Sequence, residues 1–329
     1  MNKRAVAGGL AALVALGLAA CSSGGGDATA PGSEETTSLK VVQFPIPDFA
    51  PVWVADKQGY FADESLDVTY DAGGVKNAAD VIPLLVSGTY ELALSTAAST
   101  VQARSQGLDI SMVLGSTNYG QPDGPDRTMA LVARTDGPQS YADLGAGSTV
   151  GVNGLNGATH VYAMKAIDDG GGDPFAIDYQ NVPNESAAEL ILNGSVDASN
   201  MQEPFLSVAL ENPELHVVGW NFENIPLGTN QLSFVAETEW ATSNSEVLDR
   251  FESAIDRAVE WLMDPNNRDE ADQIISEGTG MPLDVVAGLT LPYYSTEIDD
   301  ELLAEQLQVF LKYRAIDDAP PPSEILLSR

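Results

Sequence analysis

Short apolar, β-branched runs alternate with helix-length segments along most of this chain, and that alternation constrains the fold more than any single residue. Leu39–Phe44 is a β-branched run stopped by Pro45 and Pro47, so it reads as a strand entering a loop. Pro51–Phe61 then reads as a helix, Leu66–Tyr70 as a strand, Ala78–Val86 as a helix ended by Gly88, and Glu91–Ser95 as a third strand. Ile110–Leu114 is a further strand. Strands and helices at this spacing imply βαβ units and a parallel sheet with helices on both faces. The pattern restarts with strands Met129–Arg134 and Thr149–Val152, the loop Asn153-Gly154-Leu155-Asn156-Gly157 and a helix from Ala158 to Ile167. Strand Ala176–Tyr179, helix Ser186–Leu192 and a short strand Ala198–Met201 complete what reads as a second α/β domain. After His216–Val218 and Leu232–Ala236 the sequence is helical to the end. Ser243-x-x-Glu246 has the form of a capping box ahead of Val247, Phe251, Ala254, Ile255, Ala258 and Leu262, which share one face and read as core.

The first 20 residues are read as a leader. Lys3 and Arg4 precede an apolar core from Ala5 to Leu16, and small residues follow, as in a secretory signal peptide. Leu18-Ala19-Ala20-Cys21 puts a cysteine at the first mature position, so the segment resembles a bacterial lipoprotein signal. That resemblance implies diacylation of Cys21, cleavage before it, and a body anchored by lipid to the outer face of the cytoplasmic membrane. The apolar run is too short to be a confident spanning helix, which needs about 20 apolar residues. Residues 21–38 are rich in Ser, Gly, Asp, Thr, Pro and Glu and read as a flexible tether. Cys21 is the only cysteine. Once lipidated, it leaves no thiol for a disulfide, a metal site or nucleophilic catalysis.

Charge removes further functions. Without Lys3 and Arg4 the mature chain carries 13 basic residues against 48 acidic ones, a formal charge of −35. Such a surface repels nucleic acid and anionic headgroups. No Ser-His-Asp order, metal-ligand spacing or phosphate loop stands out, and His160 and His216 are the only histidines. No cofactor, metal or catalytic residue is therefore expected, and the chain reads as a non-enzyme.

Several pieces carry a family resemblance in their order and spacing. They are Pro51-x-Trp53-Val54-Ala55-x-x-x-Gly59-Tyr60-Phe61, Leu66-Asp67-Val68, Leu85-Val86-Ser87-Gly88-Thr89-Tyr90-Glu91, Ala142-Asp143-Leu144, Leu192-Asn193-Gly194-Ser195-Val196-Asp197-Ala198 and Glu203-Pro204. Together they resemble the solute-binding proteins of ABC importers, in the branch that serves nitrate, sulfonates, taurine and thiamine-precursor pyrimidines. The resemblance implies a type II periplasmic-binding-protein fold: two doubly wound α/β lobes joined by a two-segment hinge, with ligand in the cleft between them. Residues 39–134 and 230–329 are assigned to lobe I and 135–229 to lobe II. A monomer, closing on one small solute and delivering it to a permease and its ATPase, is the implied function. A surface sensor is an alternative. An enzyme of the same fold, like the thiamine-pyrimidine synthases, is a second one, disfavoured because their cysteine-rich motif is missing here.

In parallel sheets ligands lie beyond the carboxyl ends of the strands. This rule selects Asp48 and Phe49 after the first strand, Gly74 and Val75 after the second, Ser95 and Thr96 after the third, and Asn118 and Tyr119 after Ile110–Leu114. From lobe II it selects Asn153, Asn156, Gly157, Ala158 and Thr159, where glycines and the free amides of a helix start suit an anion or carbonyl. Glu203 is selected as an acceptor for an amine or aminopyrimidine. Phe49, Trp53 and Tyr119 are candidates to stack on a ring, and His160 reads as structural. These loops contain no Lys or Arg apart from the nearby Lys76 and Arg104, which tilts the expected ligand towards a neutral or cationic heterocycle.

Overall fold

The computed structural model describes residues 36–71, 73, 75, 80–122 and 124–328. The leader, Cys21, the tether up to residue 35, Gly74 and Lys76 lie outside the described residues. In chain order the elements are β1 (Thr37–Val42), α1 (Ala50–Lys57), α2 (Tyr60–Asp63), β2 (Leu66–Asp71), α3 (Ile82–Val86), β3 (Leu92–Ser95), α4 (Ala97–Ser105) and β4 (Ile110–Asn118). Next come β5 (Met129–Arg134), β6 (Thr149–Val152), α5 (Ala158–Asp169), β7 (Asp178–Asn181), α6 (Asn184–Leu192), β8 (Ala198–Gln202), α7 (Phe205–Leu210) and β9 (Leu215–Trp220). The remainder is β10 (Asn230–Glu237), α8 (Thr238–Ser243), α9 (Ser245–Met263), α10 (Arg268–Thr279), α11 (Leu283–Ala287), β11 (Tyr293–Tyr294) and α12 (Asp300–Lys312).

The strands form two sheets, in the orders β11-β4-β10-β3-β1-β2 and β7-β6-β8-β5-β9. Both are mixed rather than purely parallel. β1 runs parallel to β2 and β3, and β6 parallel to β7 and β8, as βαβ units require. The strand that enters each sheet from the other lobe runs against its neighbours: β10 lies antiparallel between β3 and β4, and β5 between β8 and β9.

The placement of β5 corrects one expectation. Met129–Arg134 was assigned to lobe I, but Ala130 pairs with Met201 on one side and Trp220 on the other, inside the second sheet. The reason lies in its burial: Ala130 and Val132 enter one apolar cluster, and Leu131 and Ala133 enter another on the opposite face. Both edges of the strand are paired there, with β8 and β9. The outward crossing is therefore 119–128 and the return is 221–229. The two crossings touch. Tyr119 donates its N–H to Thr229 O at 2.7 Å, and Gly228 donates to Tyr119 O at 3.2 Å. Gly120 has φ +87°, and a Cβ there would stand 2.8 Å from Leu227 Cα, so only glycine admits this approach.

Local chemistry explains two more departures. The helix expected over Pro51–Phe61 is broken into α1 and α2 because Gly59 adopts φ +78°, a left-handed conformation that ends an α-helix. The capping box does not form: Ser243 is the last residue of α8, and α9 begins at Ser245 after Asn244 without a side-chain cap. The amphipathic stripe itself is as expected, since Phe251, Ala254, Ile255, Ala258 and Leu262 are buried while Val247 is only half-buried. Phe251 stacks on Phe61 at 5.5 Å, which docks α9 on the first lobe. Among the described residues no helix is long and apolar enough to cross a membrane.

Candidate functional site

Of the residues selected from lobe I, Asp48, Asn118 and Tyr119 come together where β1 and β4 end. Asp48 sits in the one-turn segment Pro47–Phe49 that leads into α1 and is 3 % exposed. Thr117 of β4 donates its hydroxyl to Asp48 Oδ1 at 3.3 Å, and Ser116 donates to the Asp48 backbone carbonyl at 3.3 Å. Tyr294 of β11 fixes the preceding residue by donating to Pro47 O at 3.0 Å. Burial pushes the Asp48 carboxyl up to about 6 against its hydrogen bonds, which lower it; the negative charge of Asp126 adds to the rise, and no cation among the described residues opposes it. An unpaired buried carboxyl favours its neutral form because ionisation would leave a charge in a medium of low dielectric.

Asn118, the last residue of β4, is also buried, and its Oδ1 has no hydrogen-bond partner among the described residues. Tyr119 beside it is 2 % exposed and lies edge-on to Tyr162 of α5 at 4.8 Å and to Phe222 of the return crossing at 4.6 Å. Burial raises its phenol well above the ordinary value, with contributions from Tyr162, Asp126 and Asp48, so these groups share one neighbourhood. Gln306 of α12 donates to Tyr162 Oη at 3.0 Å and to Asn230 O at 2.6 Å, and its Oε1 has no partner among the described residues. Both lobes and both crossings thus meet at one partly polar centre.

Asp126, Tyr162, Phe222, Gln306 and Tyr294 belong to this centre and were missed from sequence. Asp126 holds the outward crossing by accepting from Gly120 N, Thr128 N and Thr128 Oγ1 at 3.0, 3.0 and 2.6 Å. Its Pro-Asp-Gly-Pro-Asp setting is a turn signal that marks a connection, and could have marked the crossing. Tyr162 carries no local signal, because an aromatic on a helix is ordinarily core.

Other selected residues go elsewhere. Phe49 is fully buried and packs edge-on to Trp53 at 5.4 Å and Tyr70 at 5.9 Å, so it anchors α1 in the core and offers no ring to a ligand. Trp53 is likewise buried, and a side chain at Gly278 would collide with its indole. Val75 is half-buried against the main core. Ser95 is buried at the end of β3. Thr96 caps α4 by accepting from Ser99 N at 3.1 Å. Glu203 is half-buried, and its carboxylate accepts from Ser207 N at 3.2 Å and Ser207 Oγ at 2.8 Å, which ties it to the first turn of α7. Arg104 is paired with Asp109 at 2.8 Å.

The lobe II loop has a different character. Asn153 and Asn156 are exposed, Gly157 and Thr159 half-buried and Ala158 buried. Gly154 at φ +89° and Asn156 at φ +60° give the loop its shape, and Asn tolerates the left-handed region better than most residues. Gly154 donates to Asn181 Oδ1 at 3.0 Å, Asn156 N donates to His160 Nδ1 at 3.0 Å, and Thr159 Oγ1 donates to Asn153 O at 2.9 Å. Burial pushes His160 down to about 4, so it is neutral, and it serves as the acceptor that folds this loop. Gln102 of α4 reaches across from lobe I to Asn156 O at 3.4 Å.

Comparison with known proteins agrees with this architecture. The family model described as NMT1/THI5 like matches residues 46–268. The formylaminopyrimidine-binding protein of Halalkalibacterium halodurans is 28 % identical over 245 residues, which cover 72 % of this chain and 68 % of that protein. The periplasmic aliphatic sulphonate binding protein SsuA of Escherichia coli superposes with a TM-score of 0.70 at 16 % identity, over 90 % of this chain and 93 % of that one. The periplasmic nitrate-binding protein NrtA of Synechocystis PCC 6803 gives 0.64 at 13 % identity, over 89 % and 85 %. The fold is thus that of type II periplasmic binding proteins, the solute-binding fold of ABC importers, and these relatives are named as binding proteins. With the match spanning more than half of its length, the chain belongs to the NMT1/THI5-like family.

Proposed function

We propose that this protein is the extracytoplasmic solute-binding subunit of an ABC importer and that its ligand is a small nitrogen heterocycle of the aminopyrimidine class, captured by closure of the two lobes. The observation that carries the ligand class is Asp48, a buried carboxyl where β1 and β4 end, with no cation beside it among the described residues. An aminopyrimidine presents a ring nitrogen next to an amino group, and a carboxyl can give a proton to the first while accepting from the second. A sulfonate or nitrate would instead face the acceptor oxygens of Asp48 and Asp126, with no cation beside Asp48 among the described residues. Asn118 Oδ1, buried and unpartnered, supplies a further acceptor for an N–H donor, and Tyr119 and Tyr162 supply aromatic walls. The relative that binds formylaminopyrimidine supports the same class.

The proposal extends to the surroundings. The mature chain is a monomer held at the outer face of the cytoplasmic membrane by lipid on Cys21, where it hands its ligand to a permease driven by an ATPase. Calorimetric titration of the protein with formylaminopyrimidine, taurine, an alkanesulfonate and nitrate tests the reading. Binding of the pyrimidine with a dissociation constant of about 1 μM or below, near −8 kcal/mol, is the expected outcome. Heat from the anions alone would replace the heterocycle with an anion held by the amides that open α5.

A further inference from the structure

The end of α12 makes a set of contacts that ligand binding does not require. α12 packs against α4 of lobe I and α5 of lobe II. At its last turn Lys312 Nζ and Tyr313 Oη both donate to Asp168 Oδ2 of α5, at 2.8 and 2.9 Å. These contacts hold Asp168 below the ordinary carboxylate range. Tyr313 stacks on Phe175 at 6.0 Å with an interplanar angle of 18°, and the Arg314 guanidinium lies over the Phe175 ring, 5.0 Å from its centre. Ala315 O accepts from Gln102 Nε2 at 2.7 Å, the same nitrogen that reaches Asn156 O. One glutamine of lobe I therefore joins the C-terminal segment to the loop of lobe II that faces the cleft.

The backbone here is also held against its preference. Arg314 follows the helix with φ +63°, in the position where glycine is the usual residue because a side chain there costs free energy. Strain kept at a non-glycine residue points to a use for that side chain. The use visible in the structure is the packing of its guanidinium over Phe175, which is 48 % exposed.

We infer that residues 312–315 form a clasp that fastens lobe II to lobe I in the closed arrangement, with Asp168 and Phe175 as its seats and Gln102 as its link to the cleft loop. Opening swings α5 and the Asn153–Thr159 loop away from lobe I as one body, so these contacts break together. The clasp then adds to closure a part that does not depend on ligand. It raises the affinity for any solute by reducing what closure costs, while leaving the choice of solute to the cleft. This inference rests on hinge closure as the working motion.

The test needs no ligand. Spin labels on Val86→Cys and Val208→Cys, both exposed and on opposite lobes, are placed in the full chain carrying Cys21→Ser, and their distance distribution is read by pulsed electron resonance. Asp168→Asn combined with Phe175→Ala should increase the ratio of long to short distances about fivefold, the effect of losing roughly one hydrogen bond's net contribution. Asp63→Asn, which removes an ion pair with Arg257 wholly inside lobe I, should leave the distribution at that of the parent. An unchanged distribution in the double variant, or an equal shift in the Asp63 variant, would overturn the clasp. A protein that responds in this way yet binds no heterocycle would refute the ligand proposal and leave the clasp standing.

Discussion

The two faces of the proposed binding region are built on opposite plans. On lobe I the site is dense: Asp48, Asn118 and Tyr119 are nearly inaccessible and hemmed in by core side chains. On lobe II it is a shallow loop in which Asn153 and Asn156 are exposed and the hydrogen bonds close on the loop itself. A buried polar group whose partners are incomplete is costly to keep and specific in what would satisfy it. A loop that already satisfies itself costs little and adapts. The difference suggests a division of work in which lobe I decides what binds and lobe II decides how tightly the cleft shuts.

The contrast breaks first at Tyr119. Tyr119→Ala removes a ring held between Tyr162 and Phe222 and should destabilise the protein by about 3–5 kcal/mol, as for other large buried aromatics, in a urea titration. A cost near that of an exposed loop residue would show that the lobe I side is less densely built than its burial indicates.

Asp48→Asn should act next, and in the opposite direction. The folded carboxyl titrates near 6 against 3.8 in the unfolded chain, so the native state binds more protons between those values. Stability from this group is therefore fully present below about pH 4 and is lost as pH rises through about 6, by an amount on the order of 3 kcal/mol. Asn carries no such penalty, so the variant should melt higher than the parent at pH 7 and near it at pH 4, while its affinity for aminopyrimidine falls at both. Parallel melting curves across this range would remove the buried unpaired carboxyl from the account.

The loop supplies the smaller effects. Gly154→Ala places a side chain at φ +89° with open space around it, so backbone strain alone should cost about 1–2 kcal/mol. Thr159→Val loses one hydrogen bond to Asn153 O and should cost about 1 kcal/mol or less. Both are measurable by thermal unfolding, and both should weaken binding less than Asp48→Asn does. If either outweighs it, lobe II carries recognition after all.

Sequence made the elements legible where periodicity and punctuation agree. Thr149–Val152 is a strand with the expected bounds, and the Asn153–Gly157 turn leads into α5 as read. It failed where the answer depends on distant partners. Nothing local in Met129–Arg134 tells that its two ladder neighbours are β8 and β9, which places it in the second sheet rather than the first. The same limit governs the site. Asp48 and Tyr119 could be picked because they follow strands, but so could Phe49, and only packing shows that its ring turns inward to Trp53. Tyr162 and Gln306 reach the centre from the middle of helices, where the strand-end rule does not look. Glu203 was selected for its charge, and the structure gives that charge to Ser207.

The contact between the crossings bears on evolution as well as motion. Gly120 lies so close to Leu227 that any substitution must push the two connecting strands apart, and the lobes would then meet at a new angle with every lining residue unchanged. A lineage could retune capture by altering this seam while keeping every side chain proposed to meet the solute. Variation at 120 and 227 should therefore be paired, and an engineer seeking a biosensor with a shifted working range has an address in the connecting segments at which to begin.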